Sequence, residues 1–86
     1  MNQFDYTIQD VKGIHARPAS QIVKIAKEYA DTVITMERDG KSADATQLMS
    51  IMSLGIREDD VITVKAEGSS EDAANEAQRT FIEANQ

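Results

Sequence analysis

Residues 13–20, Gly-Ile-His-Ala-Arg-Pro-Ala-Ser, bring together the only histidine, an arginine and the only proline of the chain. A helical pattern begins at about Ala16, so the first N–H groups of that helix have no partner within it and can hold an anion beside His15. Pro18 suits a first helical turn because the donor that it lacks would be unpaired there. Arg17 supplies forked donors that match phosphate oxygens. These residues predict that neutral His15 is a nucleophile that carries a phosphoryl group.

The alternative interpretation of His15 is structural, as a helix N-cap or a turn residue. A single titratable side chain is weak evidence for a chemical role. The cation at Arg17, and Gly13, which permits an unusual backbone turn before the histidine, favour the phosphoryl site.

The composition of the 86-residue chain excludes several functions. Its 9 basic and 15 acidic residues give a net charge of −6, which argues against nucleic acid or an anionic membrane as a partner. With no cysteine and one histidine, neither a thiolate nor a multi-histidine metal site can form, and no stretch is long and apolar enough to enter and span a bilayer. We expect one cytoplasmic domain, residues 1–86.

Basic residues are concentrated around the candidate site. Four of them, Lys12, Arg17, Lys24 and Lys27, lie between Val11 and Lys27, where there is no acidic residue. Such a patch on an acidic protein favours phosphate or an acidic protein surface. An ordinary solvated helix face would carry the same charges, so charge alone does not decide between these interpretations.

Hydrophobic periodicity predicts seven elements in the order β-α-β-β-α-β-α. The expected strands are residues 3–9, 32–37, 41–43 and 61–66, and Asp39 with Gly40 forms a hairpin turn between the second and third. This order predicts an α+β fold with helices on one face of an antiparallel sheet.

The two long helices each have a predicted apolar line. In the first helix the residues expected in the core are Ala19, Ile22, Val23, Ala26 and Ala30. The opposite, polar face of that helix carries Arg17, Ser20, Gln21, Lys24 and Lys27. In the closing helix, which follows a serine cap, the expected apolar line is Ala73, Ala77, Phe81 and Ala84.

A short helix between the third and fourth strands is too apolar to bury on one face. We expect it to begin at Thr46 or Gln47 and to end at Gly55, the glycine C-cap. If Ile51 and Leu54 enter the core, part of the remaining apolar set stays exposed as a docking patch. That set is Leu48, Met49 and Met52. Complete burial is the alternative, since a helix that is apolar on most sides usually lies in the core.

Three separated segments of the chain resemble the HPr family, the histidine phosphocarriers of the bacterial phosphoenolpyruvate-dependent sugar phosphotransferase system. They are residues 13–19, which match the phosphorylation-site signature, and residues 39–42 and 48–55. The final strand and helix are also similar, so the resemblance covers essentially the whole chain. It implies an open-faced β-sandwich in which a four-stranded antiparallel sheet is covered on one face by three helices.

The resemblance implies a phosphocarrier and not an enzyme. His15 would accept a phosphoryl group from phosphorylated enzyme I, which phosphoenolpyruvate charges, and would pass it to enzyme IIA domains of sugar transporters. Arg17 and the amides near Ala16 would stabilise the group during transfer. The carrier would be a monomer and would require no metal or organic cofactor. The expected docking surface for both partners consists of Ser20, Gln21, Lys24, Lys27, Gln47, Leu48, Met49 and Met52.

One position departs from many HPr proteins of Gram-positive bacteria. Those proteins carry a regulatory serine at the start of the short helix, phosphorylated by a dedicated kinase, where this chain has Gln47. Gln47 cannot accept a phosphoryl group, although Thr46 is adjacent and Ser50 lies one turn further on. We expect kinase control through this helix to be absent.

Two alternative functions remain open. The first is a regulatory HPr paralogue that acts through protein binding or in a nitrogen-linked phosphorelay. The second is a small phosphate-handling enzyme with the same α+β layers, such as an acylphosphatase-like hydrolase. Residues 13–20 contain no obvious second acid or base for such an enzyme.

Overall fold

The structure, a computed structural model, describes residues 1–85. Strands and helices follow one another in the predicted order, β-α-β-β-α-β-α. Their bounds are β1 Asn2–Thr7, α1 Ala16–Glu28, β2 Thr32–Arg38, β3 Lys41–Asp44, α2 Leu48–Met52, β4 Val61–Gly68 and α3 Glu71–Asn85. The predicted domain, residues 1–86, also includes Gln86, which lies outside the described residues.

The four strands form one antiparallel sheet in the order β1-β4-β2-β3. One row of cross-strand partners runs through all four strands, with Phe4 opposite Val64, Val64 opposite Met36, and Met36 opposite Ala43. All four side chains are buried. Because successive side chains of a strand point to opposite faces, the neighbouring row lies on the open face. That row is polar and consists of Asp5, Thr63, Glu37 and Ser42.

The three helices cover the apolar face of the sheet and close a single core cluster. α1 contributes Ala19, Ile22 and Ala26, α2 contributes Ile51, and α3 contributes residues including Ile82. The fold is therefore the predicted open-faced β-sandwich with three helices on one side.

The predicted apolar line of α3 is wrong by about one position. Ala73 and Ala84 are exposed, and Ala77 and Phe81 are only half-buried. The residues of α3 that are buried are Ala74, Asn75, Gln78 and Ile82. Two of these positions carry amides, which apolar periodicity does not place in a core.

Each buried amide of α3 donates to a neighbouring element. Gln78 Nε2 donates to the carbonyl oxygen of Ile22 in α1 at 3.0 Å. Asn75 Nδ2 donates to Asn2 Oδ1 at 2.8 Å and to the carbonyl of Val64 at 3.3 Å. These bonds satisfy the buried amide nitrogens, whereas Asn75 Oδ1 and Gln78 Oε1 accept no hydrogen bond within residues 1–85.

The other differences concern the ends of elements. α1 ends at Glu28, so Ala30, predicted to enter the core, lies beyond the helix and is exposed. α2 is shorter than predicted, with Gln47 as its N-cap and Ser53 as its C-cap. Gly55 follows with φ +64°, the left-handed conformation that glycine commonly provides after a helix.

Candidate functional site

His15 occupies the N-cap position of α1. Its backbone is extended, with φ −107° and ψ −174°, and its carbonyl accepts the N–H of Ala19 at 3.0 Å. Within residues 1–85 its side chain makes no capping hydrogen bond, so the imidazole is not used to close the helix end. Ala16 and Arg17 are the first two helical residues, and amides at these positions have no carbonyl to pair with inside a helix. Pro18 follows at the third helical position.

A tight turn positions the backbone immediately before His15. The Gly13 N–H donates to the carbonyl of Asp10 at 2.8 Å, and the Lys12 N–H donates to Asp10 Oδ1 at 2.8 Å. Gly13 has φ +66° and packs directly against the Ile56 carbonyl, which also accepts the Ile14 N–H at 3.3 Å. The turn therefore has its own hydrogen bonds and a fixed support beneath it.

That support extends through the turn that precedes β4. The Ile8 N–H donates to the carbonyl of Asp60, and the Asp59 N–H donates to the carbonyl of Ile8, both at 2.9 Å. Asp60 Oδ2 accepts the Arg57 N–H and Arg38 Nε, each at 2.8 Å. These contacts, the Arg57 amide before the Arg38 side chain, lower the pKa of Asp60. The segment before His15 is thus held against an ordered turn.

His15 opens into a groove of about 380 Å³ between the start of α1 and the end of α3. Its lining residues are Asp10, His15, Arg17, Pro18, Gln21, Phe81 and Asn85. The structure therefore brings His15 into one groove with Arg17 and Gln21, two residues that helical spacing places on the same face of α1.

Three groove residues were missed by reasoning from the sequence. Phe81 and Asn85 are far from His15 in sequence and reach the groove only because α3 packs against α1. No local pattern could have indicated them. Asp10 carried a partial signal, since an aspartate that precedes a glycine by three residues is typical of a turn.

The predicted docking residues lie on two helices that pack against each other, α1 and α2. The polar face of α1 is exposed along its length, at Arg17, Ser20, Gln21, Lys24 and Lys27. In α2, Met49 is 77% exposed, whereas Leu48 and Met52 are half-buried at the margin of the core. Gln47 is also exposed. The expected partial exposure of α2 is confirmed, and complete burial is excluded.

Comparison with known proteins identifies the family. The family described as "PTS HPr component phosphorylation site" matches residues 2–84. The phosphocarrier protein HPr of Mycoplasma genitalium is 36% identical over 85 residues, which cover 99% of this chain and 97% of that protein. The chain belongs to the HPr family. It is accordingly an HPr-type phosphocarrier of the phosphotransferase system.

Solved HPr structures share the fold. HPr-C-His from Thermoanaerobacter tengcongensis is 36% identical with a TM-score of 0.91, over 98% of this chain and 93% of that one. The HPr dimer of the same organism is also 36% identical, with a TM-score of 0.76, over 98% of this chain and 95% of that one. Because HPr structures include a dimer, the monomeric state expected for this chain stays a prediction. Among residues 1–85, no helix has the length and apolar character needed to cross a membrane.

Proposed function

We propose that His15 accepts a phosphoryl group from phosphorylated enzyme I and passes it to enzyme IIA domains of sugar transporters. The observation that carries this proposal is the position of His15 at the N-cap of α1, in one groove with Arg17. The imidazole there adjoins the two helical amides, of Ala16 and Arg17, that lack helical partners. Membership of the HPr family supports a carrier function for this histidine.

The chemistry requires little beyond placement and charge. A neutral imidazole nitrogen attacks the phosphorus of the phosphorylated donor and forms a P–N bond. The bond between phosphorus and the donor breaks, and its electron pair goes to the donor. Negative charge on the phosphoryl oxygens during transfer is stabilised by the helix-start amides and the Arg17 guanidinium. The same contacts hold the group for onward transfer, in which the P–N electron pair returns to the imidazole. The chain is thus a covalently modified carrier without a catalytic turnover of its own, and no step calls on a metal or organic cofactor.

Partner docking is proposed to use the exposed faces of α1 and α2 together. Lys24 and Lys27 extend positive charge away from the groove along α1, and Met49 offers a flexible apolar contact on α2. An acidic partner surface with an apolar centre would match this combination. The remaining members of the proposed docking surface are Ser20, Gln21, Gln47, Leu48 and Met52. The proposal treats the carrier as a cytoplasmic monomer, and the absence of cysteine fits a reducing compartment.

The test is the intact mass of the protein after incubation with enzyme I, magnesium and phosphoenolpyruvate. We expect one added phosphoryl group that is lost in acid and absent from a His15→Ala variant. Addition of an enzyme IIA domain should then remove the group from this protein and label the IIA domain. No added mass with a demonstrably active enzyme I would overturn the proposal. A phosphorylated chain that labels no IIA domain would overturn its second half and favour the nitrogen-linked or regulatory alternative.

A further inference from the structure

We infer that the negative charge of Asp10 lowers the stability of the phosphoryl group on His15 and so favours its onward transfer. This inference rests on the proposed phosphorylation of His15. Asp10 lines the groove, but the proposed transfer step uses only the α1 amides and Arg17.

Asp10 is held in a defined orientation on the wall of the groove. It lines the groove with His15 and Arg17 and is half-buried. Its Oδ1 accepts the Lys12 N–H at 2.8 Å, and its carbonyl accepts the Gly13 N–H at 2.8 Å. An aspartate that closes a turn through its own side chain is restrained by that bond. The carboxylate therefore belongs to the same rigid turn that presents His15.

Asp10 and Arg17 place opposite charges around one site. A phosphoryl group carries between one and two negative charges near neutral pH, so Arg17 attracts it and Asp10 repels it. Any contact that Arg17 makes equally with the resting phosphoryl group and with the transition state holds the group without accelerating its discharge. The repulsion from Asp10 opposes that trapping.

Loss of the phosphoryl group relieves the repulsion. In hydrolysis the P–N bond breaks and its electron pair stays on the imidazole nitrogen. A water oxygen bonds to phosphorus, one water proton goes to that nitrogen, and inorganic phosphate carries the negative charge out of the groove. The same relief accompanies transfer to a protein acceptor, whose nucleophile replaces water. In a dissociative transition state the P–N bond is already largely broken, so part of this relief is gained there. Neutralising Asp10 should therefore slow hydrolysis and shift the phosphoenolpyruvate equilibrium toward the phosphorylated carrier.

Two variants of Asp10 separate charge from turn geometry. Asp10→Asn keeps an Oδ1 that can accept the Lys12 N–H and removes the charge, whereas Asp10→Ala removes both. Glu28→Gln is the matched control, because it removes one negative charge from an exposed residue at the far end of α1. Each protein is phosphorylated with enzyme I and phosphoenolpyruvate and separated from both. Its hydrolysis is then followed by intact mass at low and at high salt.

We expect Asp10→Asn to slow hydrolysis about threefold at low salt, as removal of one nearby, partly solvated charge predicts. Glu28→Gln should match the wild-type protein. The difference between wild type and Asp10→Asn should shrink at high salt because mobile ions screen the interaction. If Asp10 acted only through the geometry of the turn, Asp10→Ala would change the hydrolysis rate and Asp10→Asn would not.

The outcomes distinguish this inference from the proposed function. If the wild-type protein and Asp10→Asn are both phosphorylated and hydrolyse at the same rate at low salt, the Asp10 inference is wrong and the carrier function stands. If hydrolysis of Asp10→Asn is faster than that of the wild type, the inference is also wrong. If active enzyme I phosphorylates neither protein, the proposed function fails and the inference fails with it.

Discussion

The backbone of Gly13 packs directly against the carbonyl group of Ile56. A Cβ at Gly13 would overlap that carbonyl and also approach the Cα of Arg57. The same Ile56 carbonyl accepts the N–H of Ile14. These two contacts with Ile56 therefore fix the position of the loop that leads into His15.

We predict that Gly13→Ala is much more destabilising than Gly55→Ala. The two glycines have nearly the same backbone conformation, with φ +66° and +64°, but Gly55 has open space where its Cβ would be. Gly55→Ala should therefore lose about 1 kcal/mol for the left-handed conformation alone. Gly13→Ala adds displacement of the Ile56 backbone and should lose roughly 3 kcal/mol. Urea unfolding of both variants measures the difference, and equal losses would show that the contact with Ile56 is unimportant.

Met49 provides a test of the docking surface. Met49→Gln should lower kcat/KM for phosphoryl transfer from enzyme I about fivefold, as loss of roughly 1 kcal/mol of apolar contact predicts. Val33→Gln is the control, because Val33 is 66% exposed but lies in β2, outside the proposed surface. Both variants should unfold at nearly the wild-type temperature. If the Val33 change slows transfer as much as the Met49 change, the proposed surface is misplaced.

Thr46 is a poor replacement for the missing regulatory serine. Its hydroxyl and its N–H both donate to Asp44 Oδ1, at 2.7 and 2.8 Å. These contacts, the hydroxyl first, lower the pKa of Asp44. Phosphorylation of Thr46 would remove the hydroxyl hydrogen that bonds to Asp44. The new phosphoryl group would also lie beside the Asp44 carboxylate, which repels it.

We predict that an active HPr kinase with ATP leaves the wild-type chain unmodified. Gln47→Ser, which supplies a hydroxyl at the N-cap of α2, should gain one phosphoryl group. Intact mass followed by peptide mapping distinguishes the two. Modification of wild-type Thr46 or Ser50 would contradict the prediction, and a kinase preparation that phosphorylates its own HPr provides the positive control.

Asp60 should contribute to the acid sensitivity of the fold. Its pKa is lowered from the usual 3.8 by the Arg57 amide and then by the Arg38 side chain. A carboxylate with a lower pKa in the folded state stabilises the fold above its unfolded pKa. That contribution is lost as the pH falls below about 3.8 and through the folded-state pKa.

We predict that Asp60→Asn is less stable than the wild type at pH 7 and loses less additional stability on acidification. Urea unfolding at a series of pH values measures both effects. Glu58→Gln, a change at the exposed neighbouring turn position, removes the same charge without removing the carboxylate that Arg57 and Arg38 contact. Parallel stability curves for wild type and Asp60→Asn would contradict the assignment.

Gln78 should be replaceable by an apolar residue at a gain in stability. Among residues 1–85, no group donates a hydrogen bond to its buried Oε1, and such an acceptor costs free energy. Gln78→Leu has a similar size and should raise the free energy of unfolding by about 1 kcal/mol. The Ile22 carbonyl would lose the bond from Gln78 but would still accept the backbone N–H four residues further along α1. Gln78→Glu should instead destabilise the fold, and a loss in both variants would indicate that the bond to Ile22 dominates.

Local physics made much of the fold predictable from the sequence. The alternation of Phe4 with its polar neighbours predicts which face of the strand is buried. Asp39 and Gly40 predict the hairpin turn. Both preferences act within a few residues. The start of α1 was predictable for the same reason, because Pro18 and the helical spacing lie in one short segment. The closing helix α3 was predictable as a helix, but its buried face was not, since Asn75 and Gln78 are buried by partners on β1, β4 and α1 that helical periodicity does not encode.

The sequence by itself determined that His15 lies at the start of a helix with Arg17 in its first turn, because Pro18 and the helical spacing of the residues that follow are local signals. Only the tertiary structure decided what else surrounds the imidazole. Asp10 and Asn85 reach the same groove because the loop before α1 is hydrogen-bonded to the turn before β4 and because α3 packs against α1. Long-range packing thus brought Phe81 and Asn85 to the proposed phosphoryl site, since residues far apart in sequence become neighbours only when the helices close on the sheet.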